Sequence, residues 1–161
     1  MSAAADRAEA LFREGAACSQ AVLMALSDSF GVPPALASRL SLGLGGGVAR
    51  SREVCGAVTA MAMLAGLRYG ADAPDDPAAK TRTYEAARAM MEEFRARFGS
   101  CICRELLAAR TASAAAAKDD AAAPSARTPA YYAARSTCLD NVRAAAEIAE
   151  KHLLQPEPEN P

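Results

Sequence analysis

Apolar positions recur along the chain at spacings of three and four, without sustained alternation, so helix is the expected structure from end to end. A first helix is predicted from Ser2, a good N-cap, to a stop at Gly15. Cys18 opens a second, "CSQAVLMALSDSF", closed by Gly31, and "PPAL" puts proline at the start of a third that dissolves into Gly43-Leu44-Gly45-Gly46-Gly47. Ser51 is the predicted N-cap of the next helix, with Glu53 in its first turn and an end near Leu67, ahead of Gly70. The linker "ADAPDDP" hands Asp75-Asp76-Pro77 to a long amphipathic helix that runs through Phe98 and stops at Gly99. Tyr84, Ala87, Met91, Phe94 and Phe98 form its expected apolar stripe. "SCICRELLAAR" begins a short helix, and residues 111–129 are expected to be a mobile connection. Pro129 starts a final helix, "AYYAARSTCLDNVRAAAEIAEKHLL", and residues 156–161 read as a disordered tail.

These elements predict an all-α, single-domain bundle over residues 1–155, with about six to seven helices and a glycine-rich loop before a central buried helix. That central helix carries no charge from Val54 to Leu67, and a helix apolar all round is a buried one. Spacings of 4, 3 and 4 put Cys55, Thr59, Ala62 and Gly66 on one face of small residues, wide enough for another backbone or a ligand. Val54, Val58, Met61 and Leu64 are expected to cover the other side.

Composition narrows the function classes. Eighteen basic and 19 acidic residues, scattered along 161, leave a formal charge of -1 and no basic field for nucleic acid or an anionic membrane. Trp is absent, which removes the best base-stacking side chain. The longest near-apolar run, Ala57 to Leu67, is too short for membrane insertion, and the N-terminus does not read as a secretory signal, so a cytoplasmic location is expected. Five cysteines in a reducing compartment are inert, catalytic or metal-bound rather than a disulfide framework.

Taken singly, each cysteine is best read as a small buried hydrophobe. Taken together, Cys18, Cys55 and Cys138 lie on core-facing helix stripes, the last with Tyr131 a heptad before it and Val142, Ala145 and Ala149 after it. Cys103 falls in the first turn of a helix, where unpaired N–H groups lower a thiol pKa. Cys101, two residues away, points elsewhere if both are helical, and is a bystander or at most a resolving thiol. His152 lies 14 residues beyond Cys138 on the same helix, about 21 Å away, too far to share an ion with it, and reads as an exposed C-terminal residue.

"GLGGGV" departs from G-x-G-x-x-G at its last position, follows no strand and precedes no Lys-Ser/Thr, so a nucleotide loop is disfavoured. The plain alternative is a tight turn. A third reading has the backbone of Gly45, Gly46, Gly47 and Gly56, with Thr59, approach the site at Cys55 and offer N–H groups to a thiolate or cofactor sulfur.

"CSQAVL" at Cys18, "EVCGAV" with "GLRYG", "FGSCICRELL" and "CLDNVRAAAEI" at Cys138 together resemble the C_GCAxxG_C_C family of redox-active proteins, named for its cysteine pattern. The likeness runs from about Ala16 to Ala149 and places the family cysteines on Cys18, Cys55, Cys103 and Cys138, leaving Cys101 outside. Ala60 stands where the family motif has glycine.

Three functions follow. The first is thiol/disulfide exchange or electron transfer at a four-cysteine site, with Cys103 as the attacking thiolate and a redox partner protein or small thiol as substrate; four cysteines allow three pairings. The second makes Cys18, Cys55, Cys103 and Cys138 ligands of an iron–sulfur cluster or other thiophilic metal, although no C-x₂-C occurs within separations of 37, 48 and 35 residues. The third is a helical interaction protein, a homo-oligomer included, with structural cysteines.

Overall fold

The computed structural model describes residues 2–110 and 128–155. Their structure is all-α: α1 (Ala3–Arg13), α2 (Cys18–Leu26), α3 (Pro34–Ser41), α4 (Gly56–Tyr69), α5 (Pro77–Phe98), α6 (Cys103–Arg110), α7 (Pro129–Ala134) and α8 (Ser136–Leu153). Eight helices are thus present among the described residues, against the six to seven expected, because the final predicted helix is two. The expected connection over 111–129 and the tail at 156–161 lie outside the described residues, save for Thr128 and Pro129, which open α7.

Local signals set most of the ends. The Ser2 hydroxyl accepts from the Ala5 N–H, the Asp76 carboxylate accepts from the Ala79 N–H, and Pro77 occupies the first turn of α5. Gly31 and Gly99 stop their segments in the left-handed conformation.

Helices α2, α4 and α8 pack against one another at the centre, with α1 across α2 and α8, and α5 across α4 and α8. Val22, Leu23, Leu26, Val58, Met61, Leu64, Met90, Phe94, Val142 and Ile148 fill the interior. In α5 the buried residues are Ala79, Met90 and Phe94, whereas Tyr84, assigned to the stripe from its spacing, is 62% exposed. Arg143 of α8 pairs with Asp6 and Glu9 of α1. His152, expected to be exposed, is half-buried and bonds Glu93 of α5 at 2.8 Å.

Two expectations about the centre need correction. First, α4 begins at Gly56 with Cys55 as its N-cap, not at Ser51. Residues before it are drawn into an antiparallel bridge between Val54 and Ile102, in which the Cys55 N–H donates to the Cys101 carbonyl (2.9 Å) and the Cys103 N–H to the Glu53 carbonyl (2.7 Å). Second, the small face of Thr59, Ala62 and Gly66 is half-buried, and nothing lies within 4 Å of a Cβ built on Gly66. Leu67, at the end of α4, is 42% exposed. Ala60 is fully buried inside α4, so the methyl that replaces the family glycine is a packing group.

Between α3 and the bridge the chain makes a left-handed turn. Gly46 to Arg50 all have positive φ, Val48, Ala49 and Arg50 among them (61°, 47° and 63°), as does Arg52 (62°). Each non-glycine residue in this conformation costs about 1–2 kcal/mol. The turn is held by long-span hydrogen bonds, Ala49 N–H to the Gly43 carbonyl (2.8 Å), Arg52 N–H to that of Gly46 (3.1 Å) and Glu53 N–H to that of Gly47 (3.0 Å).

Candidate functional site

Cys18 is the first residue of α2, so the unpaired N–H groups of a helix start surround it. Its Sγ lies 2.7 Å from where a Cβ on Gly56 would stand, and only glycine admits the sulfur there. The largest influence on its thiol is a hydrogen bond from the Cys55 thiol, which outweighs burial together with bonds from the backbone N–H groups of Gly46, Ser19 and Gly56. The result takes Cys18 down to about 6, so most of it is thiolate at neutral pH. Cys55 is pushed well up, because it donates its proton to Cys18, is buried and faces the Cys18 charge.

Gly47 seats the third thiol. A Cβ at Gly47 would stand 2.8 Å from the Cβ of Cys103 and 2.7 Å from the Glu53 nitrogen, so the left-handed turn lies directly against the start of α6. Cys103 was expected to be the low-pKa thiol. Burial and the Cys18 charge instead push it up, against Arg52 and Arg135. Both Cys18 and Cys103 start helices and both are raised by burial; the difference is the bonds from the Cys55 thiol and from the N–H groups of Gly46, Ser19 and Gly56, which Cys18 has and Cys103 lacks.

Cys138 lies in the first turn of α8, and burial raises its thiol to about 12, with the charge of Cys18 adding and Arg135 opposing. The same interactions tie the four sulfurs together: the charge of Cys103 acts on Cys55 and Cys138, and that of Cys18 on all three others. Cys55 and Cys103 are buried, whereas Cys18 and Cys138 keep part of their surface open.

Two arginines complete the site. Arg135 breaks the predicted last helix into α7 and α8, is 6% exposed, and hydrogen-bonds Cys138 while its charge reaches Cys103. Arg52 hydrogen-bonds Cys103. Sequence reasoning missed both. An arginine three residues before Cys138, at a point where α7 turns to α1 through the Tyr132 hydroxyl on the Phe12 and Arg13 carbonyls (3.1 and 2.7 Å), carries no local signature. The break also removes Tyr131 from the Cys138 stripe; its ring sits edge-on to Tyr132 and beside the Arg135 guanidinium.

The other candidate residues fall as follows. Gly45 packs on Ala17, where a Cβ would meet the Ala17 methyl at 2.8 Å. Thr59 donates to the Gly56 carbonyl (3.0 Å). The Cys101 thiol donates to the Met91 carbonyl (3.6 Å). Among the described residues no group of three or more His, Cys, Asp and Glu side chains is set to hold a metal ion, and the four sulfurs as placed do not fit one. No helix among them is long and apolar enough to cross a membrane.

Fold and site together define an all-α protein with five free cysteines, four of which, from the starts of α2, α6 and α8 and the N-cap of α4, gather under a glycine-rich turn. The chain belongs to the C_GCAxxG_C_C family: the family model, described as "Putative redox-active protein (C_GCAxxG_C_C)", matches residues 16–152. No curated protein and no solved structure matches it.

Proposed function

We propose that this protein is a thiol–disulfide exchange protein whose working pair is Cys18 and Cys55. The observation that carries this reading is the Cys18 sulfur held by the N–H groups of Gly46, Ser19 and Gly56 and by the Cys55 thiol. A stabilised thiolate, on a residue that keeps part of its surface open and with a protonated thiol in contact behind it, has the two groups that exchange needs. The Cys18 thiolate attacks one sulfur of an external disulfide, forming a mixed disulfide and releasing the other half as a thiolate that takes up a proton. Cys55 then gives up its proton, attacks Cys18 and releases the second half. One external disulfide becomes two thiols, and two protein thiols become one disulfide. The substrate class is a small disulfide or a partner protein's disulfide in a reducing compartment such as the cytoplasm.

The cluster-binding alternative has the right soft donors, and it shares the same decisive sample. Protein purified without oxygen is analysed for metal, alkylated with iodoacetamide from pH 5 to 9, and exposed to oxidised dithiothreitol with mass mapping. The expected result is modification of Cys18 first, half-maximal near pH 6, and a Cys18–Cys55 disulfide. A Cys18 that stays unmodified and unpaired would remove the proposal, and stoichiometric metal would favour the cluster reading.

A further inference from the structure

We infer that Cys103 and Cys138 are a second dithiol, poised by Arg135, that takes over the disulfide first formed between Cys18 and Cys55. This inference rests on the exchange reading above and extends it from two electrons per chain to four.

The placement supports a path. Cys103 is buried against Gly47, and the bridge to Glu53 and Cys55 fixes the start of α6 beside the N-cap of α4. Cys138 sits across from it on α8, which packs on α6, and Arg135 reaches both. Each pair joins a residue that keeps part of its surface open to one that is buried, Cys18 with Cys55 and Cys138 with Cys103. Cys101 is excluded, since its thiol is turned to the Met91 carbonyl of α5.

Cys103 gives up its proton, attacks the Cys55 sulfur, and the Cys18 thiolate leaves; the best-stabilised thiolate is the best leaving group. Cys138 then gives up its proton and attacks Cys103, and Cys55 leaves and takes a proton. One disulfide is lost and one is gained. The direction follows from the Cys18 site. The Cys55 thiol and three N–H groups stabilise the reduced form of the first pair, which makes its disulfide the stronger oxidant, whereas in the second pair burial prevails over Arg52 and Arg135. Arg135 is a positioning residue here: its buried charge stabilises the transient thiolates of Cys103 and Cys138.

The test is a quenched time course on the wild-type protein. One equivalent of oxidised dithiothreitol is added without oxygen, free thiols are blocked at intervals, and disulfides are mapped by mass. The expected record is a Cys18–Cys55 disulfide that decays into Cys103–Cys138, with four of five thiols lost on a second equivalent and Cys101 still free. Cys103→Ser and, independently, Cys138→Ser should each stop at Cys18–Cys55 with two thiols lost. Arg135→Gln should slow the transfer at least tenfold, and Arg135→Lys should restore part of the rate. A Cys18–Cys55 disulfide that persists in the wild type overturns the relay and leaves the exchange reading standing; failure of that disulfide to form, with none at Cys103–Cys138, overturns both. An unchanged transfer rate in Arg135→Gln removes the arginine's role.

Discussion

The sulfur of Cys18 rests over the α-carbon of Gly56, in the space that a side chain at position 56 would take. One residue type therefore decides whether the thiolate can sit at the start of α4. Gly56→Ala would set a methyl 2.7 Å from that sulfur and 2.8 Å from the Leu44 carbonyl oxygen, both too close to keep. The expected outcome is a loss of about 1–3 kcal/mol of stability and slower Cys18 alkylation at pH 7, read by urea unfolding and timed iodoacetamide labelling. Unchanged labelling would show that the sulfur does not depend on this contact.

Stability should track the charge on Cys18. Its thiol is lowered from the ordinary value of 9.0 to about 6 in the folded protein, so its contribution is present above pH 9 and is lost as pH falls through 6. Cys138 runs the other way. Raised to about 12, it contributes below pH 9 and its contribution is lost as pH rises toward 12. The urea midpoint of wild type minus that of Cys18→Ser should grow between pH 6 and 9; a difference that stays flat there would rule out a stabilised thiolate.

Glu93 links α5 to the end of α8. Burial works to raise its carboxyl, but bonds from His152 (2.8 Å), Lys151 (3.1 Å) and Arg97 (2.6 Å) prevail and hold it at about 2. Its contribution is present above pH 4.5 and lost as pH falls through 2. After screening of this partly exposed cluster, Glu93→Gln should cost about 1–2 kcal/mol at pH 7 and flatten the stability curve below pH 4.5. Thermal unfolding of the two proteins at pH 7 and pH 3 measures both effects.

Val48 is a β-branched residue at φ 61°, 43% exposed, with little packing to lose. Val48→Gly removes its backbone strain and should raise stability by about 1 kcal/mol. Gly47→Ala should do the opposite and more strongly, since it adds a methyl at φ 71° against Cys103 and Glu53. If both variants lost stability to the same degree, the left-handed turn would not be the conformation in solution.

Where a helix end is set by its own residues, the sequence was enough to read it: Ser2, Gly31, Asp76-Pro77 and Gly99 act within one turn. Ser51 looked like such a signal and was not, because Val54 pairs with Ile102, 48 positions along the chain, and that pairing holds residues before Gly56 extended. The break at Arg135 was hidden for a similar reason. Alanine-rich flanks read as continuous helix, while the guanidinium is buried beside Cys138 and Cys103 from distant parts of the chain. Helix patterning aimed Cys18, Cys55 and Cys138 inward, but it could not rank the thiols. That ranking depends on which hydrogen-bond donors the folded chain delivers to each sulfur against the cost of burying it.

The four thiols come from segments that the chain keeps well apart, and this ties their oxidation state to the connectivity of the molecule. A disulfide from Cys103 to Cys138 would enclose every residue between α6 and α8 in a covalent ring. A peptide bond cut between Arg110 and Thr128 would then separate the protein into two pieces only when that disulfide is absent. Reduced and oxidised forms would differ in what a protease can release, even with the same helices in the same places.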